Sequence, residues 1–87
     1  MISVPRFHVV TDDHVLSDSG FLSRAAEVLE EGGAAVCLHL RGPATGGHHF
    51  YDLALHLKTV AEAAGAHLIV NDRVDIAMAV GLNAIHL

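Results

Sequence analysis

An α/β domain with a parallel sheet, in the order βαβαβαβ, is the fold class this sequence predicts, and three observations predict it. Short apolar runs alternate with longer stretches whose apolar residues recur at helical spacing. The runs are continuous rather than alternating, as in strands covered on both faces. Three times a helix ending passes through glycine into a strand: Gly33-Ala-Ala-Val-Cys-Leu, Gly65-Ala-His-Leu-Ile-Val and Gly81-Leu-Asn-Ala-Ile-His-Leu.

Phe7 to Thr11 is the first strand, and Thr11-Asp12-Asp13-His14 is the polar break that ends it. Asp18 or Ser19 can cap a helix whose apolar stripe is Phe21, Leu22, Ala25, Ala26 and Leu29, with Arg24, Glu27, Glu30 and Glu31 toward water. Gly32-Gly33 stops it. Ala35 to Leu40 is the second strand, followed by the glycine-rich loop Arg41 to Gly47. A second helix is predicted from about Tyr51 to Ala64, burying Leu53, Leu57, Val60, Ala61 and Ala64 and exposing Asp52, His56, Thr59 and Glu62. His67 to Val70 is the third strand, Val74 to Val80 a short third helix, and Ala84 to Leu87 a fourth strand.

With 87 residues the chain is one domain at most, and its 52% hydrophobic content is high for so small an interior. A net charge of −5, with five Lys and Arg, provides no basic field for nucleic acid or an anionic membrane. No apolar segment approaches the roughly 18 residues of a membrane span. Cys37 is the single cysteine, so no disulfide framework exists and a reducing, cytoplasmic location is expected.

Right-handed crossovers bring every strand-to-helix turn to one rim, the place where parallel α/β folds bind ligands. That rim carries Thr11, Asp12, Asp13, Arg41, Asn71, Asp72 and Arg73, a mixture suited to an anionic ligand held partly by arginine and partly through a metal. Arg41 offers a planar donor fork to phosphate or carboxylate, with a surface ion pair as its alternative role. Asp72 stands where a helix N-cap belongs, with Asp75 three residues on as in a capping box, so capping and metal binding are both open to it. His39 alternates with Leu38 and Leu40, which turns it to the face of Cys37 and Arg41. It is either a bonded interior histidine or a substrate-facing one.

Eight histidines raise the question of zinc. His48-His49, with His39 and His56 in range, lacks Cys-x-x-Cys or His-x-x-x-His spacing and is a weak candidate. The glycines between Gly42 and Gly47 show no phosphate-loop or dinucleotide spacing, so the segment reads as a mobile connection or lid.

Four segments, Phe7-His-Val-Val-Thr-Asp12, Val36-Cys-Leu-His-Leu-Arg41, Ile69-Val-Asn-Asp-Arg-Val-Asp-Ile-Ala77 and Ala84-Ile-His-Leu87, together resemble the first half of the thiamine phosphate synthase and thiazole tautomerase family. The resemblance implies a parallel unit that is half of a TIM-type (βα)8 barrel, a fold of about 200 to 250 residues. It implies thiamine biosynthesis: a synthase that joins a hydroxymethylpyrimidine diphosphate to a thiazole phosphate with magnesium, or a tautomerase acting on the thiazole carboxylate phosphate. By that resemblance Asn71 contacts diphosphate, Asp72 binds Mg2+, Arg41 binds phosphate, and His39 lies near the substrate as the catalytic candidate. The synthase motif Gln-x-Arg-x-Lys reads His39-Leu-Arg41-Gly-Pro43 here. Proline has neither charge nor backbone donor for a diphosphate, and the His-x-Arg pattern is closer to the tautomerase branch.

The reading expects a chain truncated after the fourth strand, lacking half its site and joined by a missing carboxyl-terminal half or by another copy in a homo-oligomer. Its functional alternative is a noncatalytic, self-associating half-barrel without turnover. An open doubly wound sheet is the other fold option, disfavoured for want of a fifth strand.

Overall fold

The structure, a computed structural model, describes residues 5–71, 76, 79 and 81 and the backbone of 85 and 86. Four strands, β1 (Phe7–Val10), β2 (Val36–Leu40), β3 (His67–Asn71) and β4 (Ile85–His86), form a wholly parallel sheet in the order β1-β2-β3-β4. The described helices are α1 (Asp13–Leu16), α2 (Phe21–Gly32) and α3 (Gly47–Ala64), with a 3-10 turn at Gly33–Ala35. Each strand pairs with the next in sequence, so winding never reverses. A doubly wound sheet must reverse at its switch point. A barrel advances always in one direction, and this order is the barrel's.

The helices form because their apolar residues fall on one stripe. Phe21, Ala25 and Leu29 of α2, and Phe50, Leu53, Ala54, Leu57 and Ala61 of α3, are buried at helical spacing. They close over Val36, Leu38, Leu40, Leu68 and Val70 of the sheet. Burial of each large side chain contributes about 1.5–3 kcal/mol against chain entropy. At the carboxyl end of α3, Gly65 takes φ 71°, and the Ala66 and Gly65 N–H groups donate to the Ala61 and Glu62 carbonyls at 2.9 and 3.4 Å. This Schellman closure needs left-handed backbone, which glycine enters without a Cβ clash.

In a parallel ladder, side chains alternate faces. Leu38, Leu40, Leu68 and Val70 point to the helices. His8, Cys37, His39, His67, Ile69 and Asn71 take the opposite face, which in a closed barrel is the interior. Among the described residues β1 is the bare strand, with Phe7, Val9 and Val10 exposed at 63%, 39% and 61%.

The parallel order and the shared face of Cys37 and His39 are as the sequence predicts, whereas β1 is exposed and β3 alternates rather than being covered on both faces; three further local expectations need correction. Residues called a polar break carry α1, whose N-cap Asp12 accepts the Val15 N–H at 2.8 Å. The cap of α2 is Gly20 rather than Asp18 or Ser19; Asp18 instead accepts the Gly20 N–H and pairs with Arg24 at 3.0 Å. α3 begins at Gly47, not near Tyr51, because Phe50 is wholly buried and brings its preceding turn into the helix. The third predicted helix lies largely outside the described residues, although Ile76 within it is helical and buried.

Candidate functional site

The site is built where β1, β2 and β3 end. Thr11, only 4% exposed, joins the first two: its hydroxyl donates to the Arg41 carbonyl and accepts the Arg41 N–H, both at 2.8 Å, while its own N–H donates to the His39 carbonyl at 3.1 Å. Beyond the strand, parallel ladder bonds run out, and a side chain with both donor and acceptor replaces them. Arg41 therefore leaves the sheet with a fixed backbone and an exposed side chain. Among the described residues no carboxylate forms an ion pair with its guanidinium.

Asp13 fixes the loop after β2. Its carboxylate accepts the Ala44 N–H at 3.1 Å and the Thr45 hydroxyl at 2.7 Å. The Thr45 hydroxyl first, then the backbone N–H groups of Ala44 and Thr45 and the nearby Arg41 charge, hold Asp13 below the usual carboxylate value, against the opposing effect of desolvation. Gly42 lies where a Cβ would meet Leu16 Cδ1 at 2.5 Å and Thr45 Oγ1 at 2.8 Å. The glycine there serves this close approach of loop to α1. Residues 41–46 are thus seated on α1 through Asp13.

Asn71 ends β3. Its neighbour Val70 is in register with Leu40, so Asn71 and Arg41 leave adjacent strands side by side. Its Oδ1 is buried and has no hydrogen-bond partner among the described residues. A buried polar atom left unpaired costs about 1–3 kcal/mol, and native folds rarely carry one without a use for it.

His39 is two residues before Arg41 on the same strand face, and its Nε2 is 2.8 Å from His8 Nδ1. The rings are tilted by 42° with centroids 5.1 Å apart. One nitrogen of the pair must donate and the other accept. Cys37 lies beside them, 2% exposed, and burial pushes its thiol pKa up, which leaves little nucleophilic thiolate.

The sequence-predicted residues Arg41, Asn71 and His39 thus converge near one end of the sheet. Asp72 and Arg73 lie outside the described residues. The weakly favoured histidine cluster disperses: His48 reaches Asp52 at 3.4 Å, His49 the Leu16 carbonyl at 3.2 Å and His56 the Asp52 carbonyl at 3.2 Å. Sequence reasoning placed Thr11 and Asp13 on the rim without their role in holding its loops, and missed His8. Only alternation along Cys37-Leu38-His39 hinted at a shared face, and the register of β1 on β2 was needed to add His8.

Mg2+ takes hard oxygen donors. Asp12 and Asp13 are committed to the Val15, Ala44 and Thr45 groups, whereas Asn71 Oδ1 is an available oxygen at the strand end. The described rim therefore fits a single protein oxygen on such an ion. Among the described residues no helix is long and apolar enough to cross a membrane.

Parallel winding in sequence order and helices on one face define a segment of a TIM-type barrel, with polar groups at the carboxyl ends of the strands, the end where that fold binds ligands. The thiamine monophosphate synthase family model matches residues 7–87, and the chain belongs to that family. It is 35% identical over 80 residues to the thiamine-phosphate synthase of Desulfitobacterium hafniense, covering 92% of this chain and 38% of that protein. It is 36% identical over 80 residues to that of Ruminiclostridium cellulolyticum, covering 92% and 37%. The thiamine phosphate pyrophosphorylase of Pyrococcus furiosus superposes with a TM-score of 0.74 at 26% identity, over 94% of this chain and 38% of that one. The chain thus spans less than two fifths of the length of these relatives.

Proposed function

We propose that this chain forms the amino-terminal part of a thiazole phosphate site in a thiamine biosynthesis protein. The observation that carries the reading is the unpaired Asn71 Oδ1 beside the exposed Arg41 at the ends of β3 and β2. The guanidinium supplies a charge-assisted donor fork for the phosphate. Asn71 supplies a fixed amide, which can accept from the heterocycle or contribute its oxygen to a magnesium ion. Asp72, by family resemblance, would be the carboxylate that holds that ion, which in a synthase would supply charge neutralisation for a diphosphate. His39, oriented by His8, is the candidate proton-transfer group next to the substrate.

Between the two enzyme branches, His39 and Pro43 support the tautomerase, because Pro43 provides no ammonium for a diphosphate. Asn71-Asp72 supports the synthase. Calorimetric titration separates them. Saturable thiazole phosphate binding that is lost in Arg41→Ala supports the site; no binding, or binding indifferent to Arg41, refutes it. A Pro43→Lys variant that gains affinity for pyrimidine diphosphate places the native chain outside the synthase branch, and diphosphate binding by the native chain places it inside. The exposed apolar row of β1 favours a second reading, self-association of two copies without turnover. Sedimentation over a concentration range tests it, a monodisperse monomer counting against pairing.

A further inference from the structure

The geometry points to a transition-metal site on the inner sheet face, formed by His8, Cys37 and His39, suited to Zn2+ and sharing its two histidines with the proposed substrate site. One ligand atom from each lies within 4.8 Å of the others. Cys37 and His39 alternate on β2 and share a face, and His8 on β1 is in register with Cys37. The backbone ladder therefore delivers all three. The set mixes one sulfur with two imidazole nitrogens, the donors that a borderline-soft ion prefers and Mg2+ does not. Three protein ligands leave a fourth position for water or a small anion, the pattern of an open zinc site. His8 is exposed, so an ion has a path in, whereas Cys37 closes the floor.

The fit requires a small rearrangement. Tetrahedral zinc holds two imidazole nitrogens about 3.3 Å apart. The His8 and His39 nitrogens now share a proton at 2.8 Å. They must part by about half an ångström while the sulfur draws closer. The shared proton moves to the far nitrogen of its own ring, leaving that imidazole neutral, and the Cys37 thiol proton is released to solvent. One proton therefore leaves for each ion bound. The magnesium reading of the rim is independent, since it uses none of these atoms.

Cobalt(II), which takes zinc geometries and has visible bands, is the probe. Titrating the native chain with Co2+ should give tetrahedral d–d bands and a thiolate charge-transfer band in the near ultraviolet, saturating at one equivalent and lost when Zn2+ is added. In Cys37→Ser the charge-transfer band should vanish. In His8→Gln affinity should fall by more than the roughly 10- to 100-fold that loss of an outer hydrogen-bond partner costs. A His48→Gln/His49→Gln variant should retain both. A second readout needs no variant: Zn2+ should shift the ring nitrogen resonances of His8 and His39 and leave those of His56 in place. An octahedral spectrum without the thiolate band, or binding that disappears with His48 and His49, would overturn the assignment, as would unmoved His8 and His39 resonances.

Discussion

The two faces of the sheet differ in what their residues have been given to do. Toward the helices, Leu38, Leu40, Leu68 and Val70 are at most 6% exposed and meet only apolar partners in the core. On the other face His8, Cys37, His39 and Asn71 carry donors, acceptors and an unpaired oxygen. Stability is concentrated on the first face, and the capacity for ligands on the second. Substitutions should therefore separate the two properties cleanly.

The largest effect belongs to the helix face. Leu57→Ala removes a wholly buried side chain of α3 and should cost about 2–5 kcal/mol in denaturant unfolding, a large part of a small domain's stability. Ile69→Ala, on the inner face and only half-buried, should cost clearly less; equal losses would break the comparison. Next is Thr11→Val, which keeps the shape but deprives the Arg41 N–H and carbonyl of their partner and should cost about 1–3 kcal/mol.

Asn71→Ala sharpens the comparison from the other side. Because Oδ1 pairs with nothing among the described residues, its removal should change stability by less than about 1 kcal/mol, or raise it, while thiazole phosphate binding is lost. A large loss of stability would assign Asn71 to the scaffold. The smallest effect is one of pH. Asp13 is held below its ordinary value of 3.8, so its contribution is fully present above that value and is lost as pH falls through the lower folded value. Amide signals of Ala44 and Thr45 should report release of the loop in that acid range, and Asp13→Asn should abolish the transition.

The helix face was legible in the sequence because burial imposes a period. Phe21, Ala25 and Leu29, or Leu53, Leu57 and Ala61, announce their stripe without reference to any other element. The strands and their parallel order followed from apolar runs and glycine stops. The inner face was legible only one strand at a time. Alternation placed His39 with Cys37, but His8 joins them through a register that pairs residues 29 positions apart. Thr11 and Asp13 act through hydrogen bonds to residues about thirty positions away, for which composition leaves no local trace. Phe50 was missed for a different reason: glycines and paired histidines before it read as a loop, and tertiary burial overrode that weak propensity.

Titration of the isotopically labelled chain with a thiazole phosphate, followed through backbone amide and histidine ring resonances, bears most directly on the division between faces. The account predicts saturable shifts at Arg41, Gly42 and Asn71 and at the His39 ring, with the exposed positions of α2 unmoved. Shifts confined to the outer surfaces of α2 and α3, with the strand ends silent, would contradict it.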